Sequence, residues 1–103
     1  MSSKVSLMAK LTAHEGKGDE LAAAFDSLFA HVETEPGTEV YVLNRLADDP
    51  DSFFFFELYV DNDALAAHGS SDVMKEAGAS FGPLIKESEL LVGTPIKGIG
   101  LAI

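Results

Sequence analysis

Polar and apolar positions alternate along Val5–Thr12. Val5, Leu7, Ala9 and Leu11 fall on one side, and Ser6, Met8, Lys10 and Thr12 on the other. That period of two predicts a half-buried first strand. After the turn-forming stretch His14-Glu-Gly-Lys-Gly18 the period changes. Leu21, Phe25, Leu28, Phe29 and Val32 make one stripe of an amphipathic helix, with Asp19 and Glu20 suited to its positive N-terminal end. Pro36 disfavours helical geometry at Glu35, so this helix is expected to stop near Glu33 or Thr34. Thr38–Leu46 reads as a second strand, with Tyr41, Leu43 and Arg45 on one face and Val40, Val42 and Asn44 on the other. Asp48-Asp-Pro-Asp51 predicts a hairpin turn into a third strand, Ser52–Val60, which contains four consecutive phenylalanines. Phe53, Phe55, Glu57 and Tyr59 share one face of that strand, and Phe54, Phe56, Leu58 and Val60 the other. Both faces are mostly apolar, so both should be covered by protein.

Asp61-Asn-Asp63 offers an N-cap for a short helix through Ala64, Leu65 and Ala67, which Gly69 is expected to end just after His68. Ser70 or Ser71 can cap a second helical piece bearing Val73, Met74, Ala77, Phe81, Leu84 and Ile85. Glu89–Thr94 reads as a fourth strand. The order is β-α-β-β-α-β, the ferredoxin-like α+β pattern. Right-handed crossovers put the first and third strands at the centre of an antiparallel sheet, with the helices on one face. No segment remains to cover the other face, and a homodimer stacking sheet on sheet would do so. Residues 1–95 form the expected domain. The tail 96–103, Ile-Lys-Gly-Ile-Gly-Leu-Ala-Ile, is too apolar to be left in water and is expected to pack on the partner.

Composition narrows the class. The 103 residues suit one domain, and 47% hydrophobic content suits a packed core. A net charge of −10 argues against nucleic acid and anionic lipid as partners. The absence of cysteine excludes disulfides, thiol nucleophiles and thiolate metal sites. The three histidines have no ligand-like spacing, so no metal site is expected. Gly16-Lys-Gly18 lacks the other positions of a phosphate loop. No apolar run is long enough to span a bilayer, and Met-Ser-Ser-Lys-Val lacks the apolar core of a signal peptide, so a soluble cytoplasmic protein is expected.

Three stretches then carry a family resemblance: Glu35-Pro-Gly-Thr38, Asp49-Pro50, and Phe56-Glu-Leu-Tyr-Val-Asp-Asn-Asp-Ala-Leu-Ala-Ala-His68. From Val5 to about Val92 the chain resembles the antibiotic biosynthesis monooxygenases, dimeric α+β barrels. The resemblance implies a pocket between sheet and helices in each subunit. It implies cofactor-free oxidation of a small apolar aromatic, a quinol or phenol, with molecular oxygen as co-substrate. Non-oxidative isomerisation and ligand binding without turnover are the alternatives for the same pocket. The chain has no tryptophan, which sets it apart from the haem-degrading branch and from the polyketide-oxidising branch. Haem is therefore not expected.

His68 is the first catalytic candidate, because an imidazole can take a proton from a phenol near neutral pH. The bland alternative is a helix-terminating cap. Glu57, a carboxylate among aromatics, is the second. It can orient His68, act as the base, or hydrogen-bond backbone amides or Arg45. Tyr59 can bind a substrate oxygen or rim the core with its hydroxyl in water. Phe55, Asn44, Phe25, Met74 and Phe81 complete the candidate substrate contacts, though the aromatics and Met74 serve equally as core. His14 and His31 read as solvent-facing, and Glu33 and Glu35 as a solvated acidic face.

Overall fold

The computed structural model describes residues 3–101 and 103. Residues 1, 2 and 102, which belong to the expected domain and tail, lie outside the described residues. The sheet is formed by β1 (Val5–Ala13), β2 (Thr38–Leu46), β3 (Asp49–Tyr59) and β4 (Ile85–Gly93) in the order β2-β3-β1-β4, all pairs antiparallel. The phenylalanine strand is thus central, as its two apolar faces demand. Helices α1 (Gly18–Ala24), α2 (Asp26–Val32), α3 (Asn62–Ser70) and α4 (Asp72–Phe81) cover one face. The architecture is the ferredoxin-like α+β fold.

Strand parity decides what is buried. Val5, Leu7, Ala9 and Leu11 of β1 and Phe53 and Phe55 of β3 face the helices and are nearly inaccessible. Leu21, Phe25 and Leu28 meet them from the helix layer, each at most 1% exposed. Burial on that scale contributes about 1.5–3 kcal/mol per side chain. Phe25 is the keystone. Its ring stands edge-on to Phe55 at 5.1 Å and lies 4.9 Å from Phe81, tying α1–α2 to both β3 and α4.

Four local expectations need correction. The first helix is two segments, because the chain tightens at Phe25, whose N–H reaches the carbonyl of Ala22 rather than that of residue 21. The hairpin turn is Ala47-Asp48; Asp49 and Pro50 already belong to β3, and Asp49 stands opposite Leu46. Gly69 does not end α3. The helix runs to Ser70, and it is Ser71, whose hydroxyl accepts from the N–H of Met74 while capping α4, that turns the chain. β4 begins at Ile85, four residues before the predicted start, because pairing to β1 extends to Ala13.

Among the described residues no helix covers the other sheet face, although Leu58 there is buried. Met8 and Val42 are 41% and 44% exposed there, with Phe54 and Phe56 half-buried between them. Leu90, Leu91 and Val92 leave β4 apolar and exposed on both sides, and Ile96 and Ile99 in the tail are more exposed still.

Candidate functional site

α3 starts where the side chain of Asp61 accepts a hydrogen bond from the N–H of Ala64 at 2.8 Å. From that fixed origin Leu65, His68 and Gly69, at i, i+3 and i+4, share one face of the helix. That face closes a cleft of about 440 Å³ against the sheet. Tyr41, Phe55 and Glu57 form its floor, and Phe25, Met74 and Phe81 its helical wall. Ser88 and Leu90 of β4 lie at its rim, where no helix covers the sheet. The lining is overwhelmingly apolar, with a few convergent polar groups. Such sites of roughly 300–1,000 Å³ are typical small-molecule pockets.

The polar end is a chain of side chains. His68 is 3% exposed, and its Nδ1 lies 2.9 Å from Oε1 of Glu35. A carboxylate can only accept, so Nδ1 carries a proton, and in the neutral ring Nε2 then keeps its lone pair. Nε2 is 4.0 Å from Oε1 of Glu57. The hydroxyl of Tyr59 donates to that same Glu57 oxygen. Glu35 also accepts from the hydroxyl of Thr38 at 3.0 Å, and its other oxygen stands 3.5 Å from Nε2 of His31. Burial pushes the Glu57 carboxyl above the usual carboxylate range, against the opposing pull of the Tyr59 hydrogen bond and of His68. Burial, reinforced by nearby carboxylates, likewise pushes the phenols of Tyr41 and Tyr59 far up, so both stay neutral at any working pH.

Glu35 reaches His68 because the backbone beside it fits closely against α3. A Cβ built at Gly37 would meet Cβ of Ala64 at 2.5 Å, so only glycine permits this approach. The carbonyl of Gly37 also accepts from the N–H of Val60, tying the turn to the end of β3.

The structure therefore brings together His68, Glu57, Phe55, Phe25, Met74 and Phe81. Two sequence candidates fall elsewhere. Asn44 shares the uncovered sheet face with Val40 and Val42, because bulky Tyr41 and Leu43 take the helix side. Its amide donates to the carbonyl of Phe54 at 3.3 Å. Tyr59 is fully buried behind Glu57, so its hydroxyl neither meets water nor lines the cleft. Arg45 does not pair with Glu57. It binds Asp19 at 3.0 Å and lies over the ring of Phe53. Glu35 is no solvated face, and His31 is only half-exposed beside it. Sequence reasoning missed Glu35 and Tyr41 as site residues. The i, i+4 spacing of His31 and Glu35 was the available signal for the first, and the parity shared by Tyr41 and Leu43 for the second. Among the described residues no group of three His, Asp or Glu is arranged to hold a metal ion. No helix among them is long and apolar enough to cross a membrane.

Comparison with known proteins fits this geometry. Residues 4–80 match the profile of the antibiotic biosynthesis monooxygenase family, and the chain belongs to that family. A candidate antibiotic biosynthesis monooxygenase from Caulobacter crescentus is 31% identical, with a TM-score of 0.87 over 93% of this chain and 92% of that one. Rv0793 from Mycobacterium tuberculosis is 25% identical, with a TM-score of 0.85 over 93% and 98%. A variant of SnoaB, a cofactor-independent oxygenase from Streptomyces nogalater, shares the fold at 20% identity, with a TM-score of 0.85 over 97% and 100%. No curated protein matches the sequence.

Proposed function

We propose that the protein is a cofactor-independent monooxygenase acting on a small, uncharged, oxidisable aromatic of the quinol or phenol type. The observation that carries this reading is the Glu35–His68 bond at 2.9 Å, which fixes a buried imidazole in the wall of an apolar cleft. His68 removes the hydroxyl proton. The resulting electron-rich phenolate reduces dioxygen directly, so the protein supplies base, orientation and exclusion of water. Glu57 contributes a hydrogen-bonding carboxyl at the same end, with Tyr59 fixing its rotamer. No lysine or arginine lines the cleft; its ionisable lining residues are His68, Glu57 and Tyr41, and a second carboxylate, Glu35, backs His68. Phosphorylated and carboxylated substrates are therefore disfavoured, which weighs against isomerisation of a sugar phosphate. The description of SnoaB as a cofactor-independent oxygenase supports the same choice. The working unit is a homodimer in the cytoplasm, in which the uncovered sheet face and the apolar tail meet a second copy.

The test is oxygen uptake by metal-free protein with a panel of hydroquinones and naphthols. Uptake is expected with at least one of them, and His68→Ala is expected to lower it by roughly 10²–10⁴-fold, the usual yield of a positioned base. Full turnover in His68→Ala, or tight binding of panel members with no uptake, overturns the reading.

A further inference from the structure

The hydrogen-bonded pair His68–Glu35 stands between two depressions. The cleft on one side is lined by His68 but not by Glu35. On the other side lies an exterior groove of about 440 Å³, lined by Glu35, Gly37, Thr38 and Ala64 but not by His68. The side chains between them grow more exposed on the way out: 4% for His68, 14% for Glu35 and 29% for His31. The steps between them are 2.9 Å from His68 Nδ1 to Glu35 and 3.5 Å from Glu35 to His31 Nε2. In the opposite direction the network reaches Glu57 on the cleft floor and ends at the buried Tyr59 behind it.

From this placement we propose that Glu35 and His31 form a proton relay that joins the cleft face of His68 to bulk water. Glu35 acts as the positioning and shuttling residue and His31 as the outer port. The relay rests on the reading of His68 as the base, and its bookkeeping closes. Nε2 takes a proton from a hydroxyl in the cleft, and Nδ1 passes its own proton to the Glu35 carboxylate. Glu35 gives that proton to His31 or to groove water, leaving neutral His68 protonated at Nε2. The return stroke hands the Nε2 proton to an oxygen anion in the cleft while Nδ1 regains one from Glu35. One proton leaves and one enters, and the carboxylate is restored. The groups facing His68 are Glu35 from the α2–β2 turn, Tyr41 from β2, and Glu57 and Tyr59 from β3. Of these, Glu35 alone also borders the exterior groove.

The experiment is ring-nitrogen NMR of the full-length protein labelled at histidine, which has three imidazoles to assign. It needs no substrate, so its outcome is independent of the oxygen-uptake test. His68 is expected as the Nδ1–H tautomer. Glu35→Gln keeps an acceptor for Nδ1–H and for Thr38 but cannot shuttle. It should therefore preserve the tautomer and slow exchange of the Nδ1 proton with water by roughly 10²-fold. His31→Gln should slow exchange several-fold, because groove water still reaches Glu35, and added free imidazole should restore the rate. An Nε2–H tautomer in the unsubstituted protein overturns the proposal, as does an exchange rate that neither substitution changes. If Glu35→Gln does not fold, the half-exposed His31→Gln decides alone: an unchanged rate refutes the relay, and an imidazole-rescued slowing supports it.

Discussion

Gly37 offers a test of how the site is assembled, at a position outside the cleft. An alanine there would place its Cβ 2.5 Å from Cβ of Ala64, where ordinary contact begins at 3.4 Å. The turn and α3 must therefore separate by about 0.9 Å. The Glu35–His68 bond spans that same junction, and an equal opening would stretch it from 2.9 Å to roughly 3.8 Å, beyond hydrogen-bond range. Overpacking of this kind costs about 1–3 kcal/mol. A domain of this size loses roughly 4–8 °C of Tm per kcal/mol. Gly37→Ala should thus melt measurably earlier and lose oxygen uptake together. Ala64→Gly removes the colliding atom, leaving only contacts of 3.5 Å around the new Cβ, at a helix-propensity cost of about 1 kcal/mol. Thermal melts of both single variants and the double variant form a cycle. The double variant should exceed the sum of the singles by about 1–3 kcal/mol and recover uptake. Additivity to within roughly 0.5 kcal/mol would show that the Gly37–Ala64 fit does not set the position of His68.

Three further outcomes are expected. Glu57 has its folded-state pKa raised by burial, so its contribution is fully present below about pH 4.3, the ordinary glutamate value, and is lost as pH rises through the raised value. Glu57→Gln should therefore gain stability relative to the parent as pH rises, in denaturant titrations between acid and neutral pH. A gain that grows toward acid pH would refute the assignment. Light scattering at micromolar concentration should report a dimer, since Met8, Val42, Phe54 and Phe56 otherwise face water, and a well-folded monomer would count against it. Deleting residues 96–103 should weaken that dimer, and an unchanged dissociation constant would remove the tail from the interface.

Much of this architecture is legible in the chain because period-two and helical stripes report burial directly. The order of elements and right-handed crossovers place the phenylalanine strand centrally, in keeping with its two apolar faces, and Glu57 stands out as the charge that does not fit. What escaped was settled by contacts between distant segments. Glu35 lies 33 residues from His68, and nothing local tells a carboxylate before a proline that an imidazole will meet it. Gly69 looked like a helix stop because glycine often is one, yet the following serine cap controls where α3 turns into α4. Asn44 was ambiguous because parity separates it from Arg45 without naming the inner face. The bulk of Tyr41 and Leu43 decides that.

The pairing of β1 with β4 has a consequence for how the chain folds. Ser6 stands opposite Gly93, so the sheet is stitched shut by residues from the two extremities of the described chain. Ser3 and Lys4 border the same surface hollow as Gly93 and Thr94. Closing so long a loop is entropically slow, and β4 cannot dock during synthesis until every other element of the fold has left the ribosome. The same adjacency makes the topology cuttable. A short bridge from Thr94 to Ser3, with new ends opened at the two-residue turn Ala47-Asp48, preserves every strand pair and turns the most distant one into a local hairpin.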